Sequence, residues 1–263
     1  MFQIDLSKND LNVLEKIKDP ESDPSRIVNV DPLLPKDPHV TDPDIYQQVS
    51  ATERDTVMAI QEVELQIAGL KPSVYQDPID GYWNCIKVLD ALIEEHPNYA
   101  SARNNRAQAY RRLFGDSMLV GTAVDSMRLI KDPSPEAITK AIDVVLSDLD
   151  IAISLLTPKT PSMPISPTNK KTLSAVHTQR ATIYHGTAKF MAKYPLVLGQ
   201  QRREAAWSKL DFETAASQDF AMGGRYGNEV AKGLAVSLNP TAKLCGEMVR
   251  EAMKKEYSPA FGA

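Results

Sequence analysis

From residue 50 onward, apolar side chains recur every three or four positions with charged residues between them, the spacing of a helix that buries one face. Ile86, Leu89 and Ile93 form one such stripe, with Asp90, Glu94 and Glu95 off it, and predict a helix from about residue 79 to 96. Ile142, Val145, Leu146, Leu149, Ile153 and Leu156 form a second, predicting about four or five turns that end near Thr157, ahead of Pro158. Further helices are expected over residues 50–69, 100–114, 171–193, 199–218 and 239–256. Ser50 with Glu53 has the spacing of a capping box, Asn98 stands where an N-cap belongs, and Asn239-Pro240 reads as N-cap and first-turn proline. No stretch keeps the two-residue alternation of a half-buried strand, so the fold class expected is all-α.

The first 49 residues read differently. Asp-Pro occurs five times between residues 19 and 43, at Asp19, Asp23, Asp31, Asp37 and Asp42, with Pro35 besides, which predicts an extended tether. Ahead of it, Leu6, Leu11, Leu14 and Ile17 with Asp10, Glu15 and Lys16 suggest a short amphipathic helix able to dock on the body or on a partner. The chain thus divides into residues 1–49, helix plus tether, and residues 50–257, a helical domain closed by a capping helix at 239–257.

A repeat lies inside the helical domain. The stretch Asn98 to Asp116 places small residues at Ala102, Ala107 and Ala109 and an aromatic at Tyr110, the composition of the first helix of a tetratricopeptide repeat. Gln179-Arg-Ala-Thr-Ile-Tyr184 echoes Asn105-Arg-Ala-Gln-Ala-Tyr110 at an offset of 74 residues, about twice the period of roughly 34 that regular repeats keep. With second helices over Cys85–Leu92, Val145–Ala152 and Ser208–Ala215, three helix pairs stacked as a superhelix are expected. The surplus residues fall within the pairs, at about 70–80, 117–135 and 193–203, and a proline-rich loop covers 157–170.

Composition narrows the function classes. A net charge of −4 with 24% charged residues speaks against a nucleic-acid surface. No apolar run approaches the ~18 residues of a membrane span, and two cysteines in helical patterns, Cys85 and Cys245, offer neither a disulfide framework nor a thiolate zinc site. The chain is expected to be cytoplasmic with access to the nucleus, and to need no partner copy. His39, His96, His177 and His185 lack the spacing of a helical metal site, Asp148 and Asp150 point about 200° apart on their helix, and Met222–Gly227 lacks the strand and spacing of a phosphate loop and reads as an interhelical hinge. These point away from catalysis, from a metal and from a cofactor.

Four pieces, Asn9 to Pro20, Ala100 to Ala109, Leu210 to Ala216 and Leu238 to Met248, together resemble the tetratricopeptide repeat protein 36 family, and they stand in the right order. The Asn-Pro-x-Ala-x-Leu-Cys run at 239–245 is the specific part. The chain departs from the family in length, above all at 117–135 and 157–171. The resemblance implies a three-repeat protein without catalysis, associated with 70-kilodalton heat-shock chaperones and, in animals, with regulation of tyrosine breakdown. The expected function is therefore protein binding as a co-chaperone-like adaptor that engages a chaperone or its client. The alternative is a dedicated regulatory or stabilising subunit of a metabolic enzyme.

Chaperone-binding repeats hold an acidic tail in a two-carboxylate clamp built from charge-assisted donors. Asn105 matches one clamp position, but Ala59, Val63, Ala175 and Gln179 stand at the others, so a different mode is expected, with Asn104, Asn105, Gln108, Arg112, Gln179 and Arg180 as groove contacts. Thr157, Thr160 and Ser166 each precede proline in the 157–168 run, where a phosphate beside Lys159, Lys170 and Lys171 would act as a switch.

Overall fold

A computed structural model describes residues 28–72, 77–121, 127–160, 162–199 and 201–257, the side chains only up to 254. The amphipathic segment around Leu6–Ile17 and the first part of the tether lie outside the described residues. Among the described residues eight α-helices follow one another: α1 (Pro43–Ile67), α2 (Pro78–Glu95), α3 (Ala100–Phe114), α4 (Pro135–Leu156), α5 (Pro167–Phe190), α6 (Lys209–Arg225), α7 (Glu229–Leu238) and α8 (Pro240–Tyr257). The fold is all-α, with one isolated bridge, Val30 to Ile165, among the described residues.

Five of the eight helices open the same way, with an Asp, Ser or Asn whose side chain accepts a backbone N–H of the first turn, followed by proline. The pairs are Asp42-Pro43, Asp77-Pro78, Ser134-Pro135, Ser166-Pro167 and Asn239-Pro240. Proline suits the first helical position because its missing N–H would have no partner there. This corrects the expected start of the helical body. Ser50 lies inside α1 and Asp42 is its cap, so an Asp-Pro that reads as a breaker is the opening signal. Asn98 likewise is not the cap of α3, whose N-cap position is Tyr99 without a side-chain bond.

Residues 28–42 are not a free tether. Asp31 and Asp37 each fold a tight turn by accepting the amides two residues on. Asp31 N–H and Ile165 N–H exchange bonds with Ile165 and Asn29 carbonyls, Ser166 donates to Lys36 O, and Val40 is buried with Val49, Leu89, Leu92, Ile93, Tyr99 and Ala102. The segment straps the α4–α5 connection to the start of α1. The proline-rich loop is thereby held at Ile165 and Ser166, both buried.

Each helix packs on its chain neighbour, and α3 also touches α1 and α5. Pairs α1/α2, α3/α4 and α5/α6 thus stand side by side with α1, α3 and α5 adjacent. One core runs through all three pairs, from Val63 and Ile86 through Leu113, Leu146 and Leu149 to Tyr184 and Phe212. Ala107 and Ala181, equivalent in the repeat, are both fully buried where helices cross. The aromatics after them fill the gaps: Tyr110 meets Trp83 edge-on at 5.7 Å between centroids, and Tyr184 meets Trp207 at 5.2 Å.

Two expectations about the C-terminal third change. The helix expected over 199–218 is a 3-10 turn (Arg203–Ala206) followed by α6, because Glu204 turns inward to meet Tyr184 and Arg202. The cap is α7 rather than α8: Ala231 and Ala235 are buried against Ala181 and Phe220, while the described side chains of α8 beyond its first turn are exposed, Leu244, Met248, Val249 and Met253 among them. Met222–Arg225 is the last turn of α6, not a hinge. Its Gly224 lies so close to α7 that a Cβ there would sit 2.8 Å from Lys232 Cα and 2.9 Å from its amide nitrogen. Gly224→Ala should push α7 off and destabilise by about 1–3 kcal/mol, the usual cost of overpacking. Denaturant unfolding would show it, against Gly233→Ala, where nothing lies within 4 Å, as control.

Candidate groove and its ionic supports

The stacking places a groove of about 1050 Å3 between α1, α3 and α5. Val57, Ile60 and Leu65 of α1, Ala109 of α3 and Ala175 of α5 give it apolar surface. Gln61, Asn105, Gln108, Thr178 and Gln179 supply polar edges, with Glu64 and Arg112 facing each other across it. Its size and mixed lining suit a polypeptide segment.

Of the six contacts expected from the sequence, Asn105, Gln108, Arg112 and Gln179 line the groove. Three of these are engaged within the chain. Asn105 donates to Glu53 at 2.6 Å, Gln179 donates to Asn104 and accepts from Arg111, and Arg112 donates to Glu64 at 2.6 Å and to Met127 O. Gln108 is exposed in the groove. Asn104 is buried under the floor, bonded to Gln179, so it supports the surface and does not form it. Arg180 is on another face of α5, because one position beyond Gln179 is a 100° turn; it donates to Asp219 and Asp150. Among the three residues before proline, Thr157 and Thr160 are exposed, but the Ser166 hydroxyl caps α5 in a buried position, where a phosphate would have no room.

The supports of the groove repeat from pair to pair. In the second pair, Asp148 of α4 accepts from Arg103 and Arg106 of α3, and Arg106 also reaches back to Asp90 of α2. In the third, Asp219 of α6 meets His177 and Arg180 of α5, and Arg180 reaches back to Asp150 of α4. Arg103 and His177, like Arg106 and Arg180, keep the 74-residue offset of the two tyrosines. The first helices α3 and α5 are therefore each ion-paired to the second helix of their own pair and to that of the pair before. A buried carboxylate needs such partners.

These environments split the acids into two groups. Burial works against the Asp219 charge, but the bonds from Arg180 and His177 outweigh it and hold its carboxyl below the ordinary range. Glu204 and Glu64 are likewise held low, burial being outweighed for Glu204 by its own amide, Tyr184 and arginines, and for Glu64 by Arg112 and Tyr82. Glu53 and Asp37 go the other way. Burial dominates and raises both, although Ser101 and Tyr99 donate to Glu53 and two turn amides to Asp37. A raised carboxyl adds stability once protonated, which it loses as pH rises through its folded value; a depressed one adds stability that vanishes as pH falls through its folded value. Thermal stability should therefore rise slightly from pH 7 into mild acid as Glu53 and Asp37 protonate, then fall below about pH 4 as Asp219, Glu204 and Glu64 do. Melting curves from pH 7 to 3 test it, and Glu53→Gln should flatten the rise.

Among the described residues no helix is long and apolar enough to cross a membrane, and no three of His, Cys, Asp and Glu cluster as metal ligands. No protein-family model matches the chain, and no solved structure does. Among curated proteins it is 36% identical over 253 residues to the L-tyrosine degradation gene cluster protein hmgX of Aspergillus fumigatus, an alignment that spans 95% of this chain and 93% of the relative. Identity of that extent leaves no part of the three helix pairs outside the match, and the chain belongs to the family of this tyrosine degradation gene cluster protein.

Proposed function

We propose that this protein is a non-catalytic accessory of tyrosine breakdown, a tetratricopeptide-like stack of helix pairs whose groove holds an enzyme of that route and stabilises or regulates it. The observation that carries the reading is the near full-length match to a relative named for a tyrosine degradation gene cluster. The resemblance to the tetratricopeptide repeat protein 36 family implies the same route. The groove supports binding over chemistry: its carboxylates are paired with guanidinium groups, Glu64 with Arg112 and Asp116 with Arg111, Arg128 is spent on the Lys131 carbonyl, and amide and apolar groups make up much of the remainder. Such a surface suits a protein segment better than an acidic chaperone tail, which calls for several unspent donors. The accessory reading therefore stands ahead of the co-chaperone one.

The test is a gene deletion in the source organism, with growth on tyrosine as sole nitrogen source and the activity of each breakdown step assayed in lysate. One step should fall and recover when the protein is restored. Unimpaired growth with every step at its normal level would sink the proposal.

A further inference from the structure

The groove spends nearly all of its polarity on itself. Glu64 is paired with Arg112 and Asp116 with Arg111, and the buried Arg128 donates to the Lys131 carbonyl. Tyr82 donates to Glu64, and Asn105, Thr178, Gln179 and Asn228 are each bonded within the chain. Among the described residues, only Gln61 of α1 and Gln108 of α3 line the groove with a polar side chain that has no partner, and both are exposed.

That pattern selects what the groove can hold. A charged side chain entering it would lose water and meet no free counter-charge, which disfavours a charged segment. The two free groups are carboxamides, each with a donor and an acceptor side by side. They match a peptide group, which has one N–H and one C=O. An extended chain leaves such main-chain groups unpaired, whereas a helix consumes them along its own axis except at its ends. The spacing agrees. Since α1 and α3 are in contact, their axes stand about 8–10 Å apart. Residues i and i+2 of an extended chain, whose side chains share one face, are about 7 Å apart. Two long glutamine side chains span that difference, and one face of the segment then meets Val57, Ile60, Ala109 and Ala175.

We propose that the groove takes an uncharged segment of its partner in extended conformation, the main chain held by Gln61 and Gln108 and alternate side chains set on the apolar wall. The inference rests on reading the groove as the binding site, and adds the conformation and charge of what enters it.

Random dodecapeptides displayed on phage, selected on the immobilised full chain, are the probe. Enriched sequences should carry apolar residues at every second position and no excess of charge. Selected peptides should bind about tenfold more weakly to Gln61→Ala/Gln108→Ala, whose melting temperature should stay unchanged because both positions are exposed. The loss should be alike for peptides of unrelated sequence, since a main-chain contact does not depend on the side chain. Apolar residues at the helical spacing of three and four, an acidic or basic consensus, or undiminished binding to the double variant would each overturn the proposal while leaving the groove as a binding site. Enrichment no stronger than on Ala175→Glu would remove the groove itself, and the proposal with it.

Discussion

Asp148→Ala should be among the most destabilising single changes in this protein. The carboxylate is 1% exposed and accepts from Arg103 at 2.9 Å and from Arg106 at 2.7 and 2.8 Å. Its removal leaves two guanidinium groups, 12% and 17% exposed, without their shared counter-ion. Stranding a buried charge in this way costs about 3–5 kcal/mol. Arg106 keeps Asp90, whose side chain is half exposed, so the lower part of that range is expected. At about 2–4 °C per kcal/mol for a chain of this size, the thermal midpoint should drop by roughly 10 °C. Asp219→Ala should behave alike, since His177 and Arg180 repeat the arrangement in the third pair. Glu62→Ala is the control. Its pair with Lys71 is about half exposed on both sides, and such pairs contribute little. If Asp148→Ala melted no earlier than Glu62→Ala, the ionic supports would not be what joins the helix pairs.

The second large effect should appear in binding. Ala175→Glu places a carboxylate on the groove wall at a position that is only partly buried, so the fold should tolerate it. A partner that covers the site would then bury that charge unpaired. A cost of about 3 kcal/mol corresponds to weakening by roughly a hundredfold. The check is co-purification of the protein with the enzyme whose step falls in the deletion strain, comparing wild type, Ala175→Glu and Arg180→Ala. Arg180→Ala should lower the melting temperature but leave the groove lining in place, since Arg180 faces Asp219 and Asp150. Full retention of the enzyme by Ala175→Glu would remove the groove as the contact.

Much of the helix order is legible along the chain. The stripe at Ile142–Leu156 and the small residues around Ala107 state which faces are buried without reference to neighbours. Boundaries are less legible where one dipeptide has two meanings. Asp-Pro stops one conformation and caps the next, and whether Asp42-Pro43 ends a tether or begins α1 depends on the residues C-terminal to it. The opening of α7 at Asn228 is hidden for the same reason: two glycines and a short helix look like a hinge until α7 is packed on Phe220.

The candidate site divides along a similar line. Helical register places Asn105, Gln108, Arg112 and Gln179 on the inner faces of first helices, and that much comes from a 100° step per residue. It does not reveal that Asn105 is spent on Glu53, that Gln179 is spent on Asn104 and Arg111, or that Arg180 belongs to a buried ionic support. The sequence by itself determined the all-α class, the 74-residue echo and the relationship to a tyrosine degradation protein, because periodicity and residue identity are local properties of the chain. Only the tertiary structure decided which polar groups face the groove and which are consumed holding helices together. Glu53 and Asn105 are 52 residues apart and Asp148 and Arg106 are 42 apart, and such pairings exist only once packing has chosen a distance and an orientation.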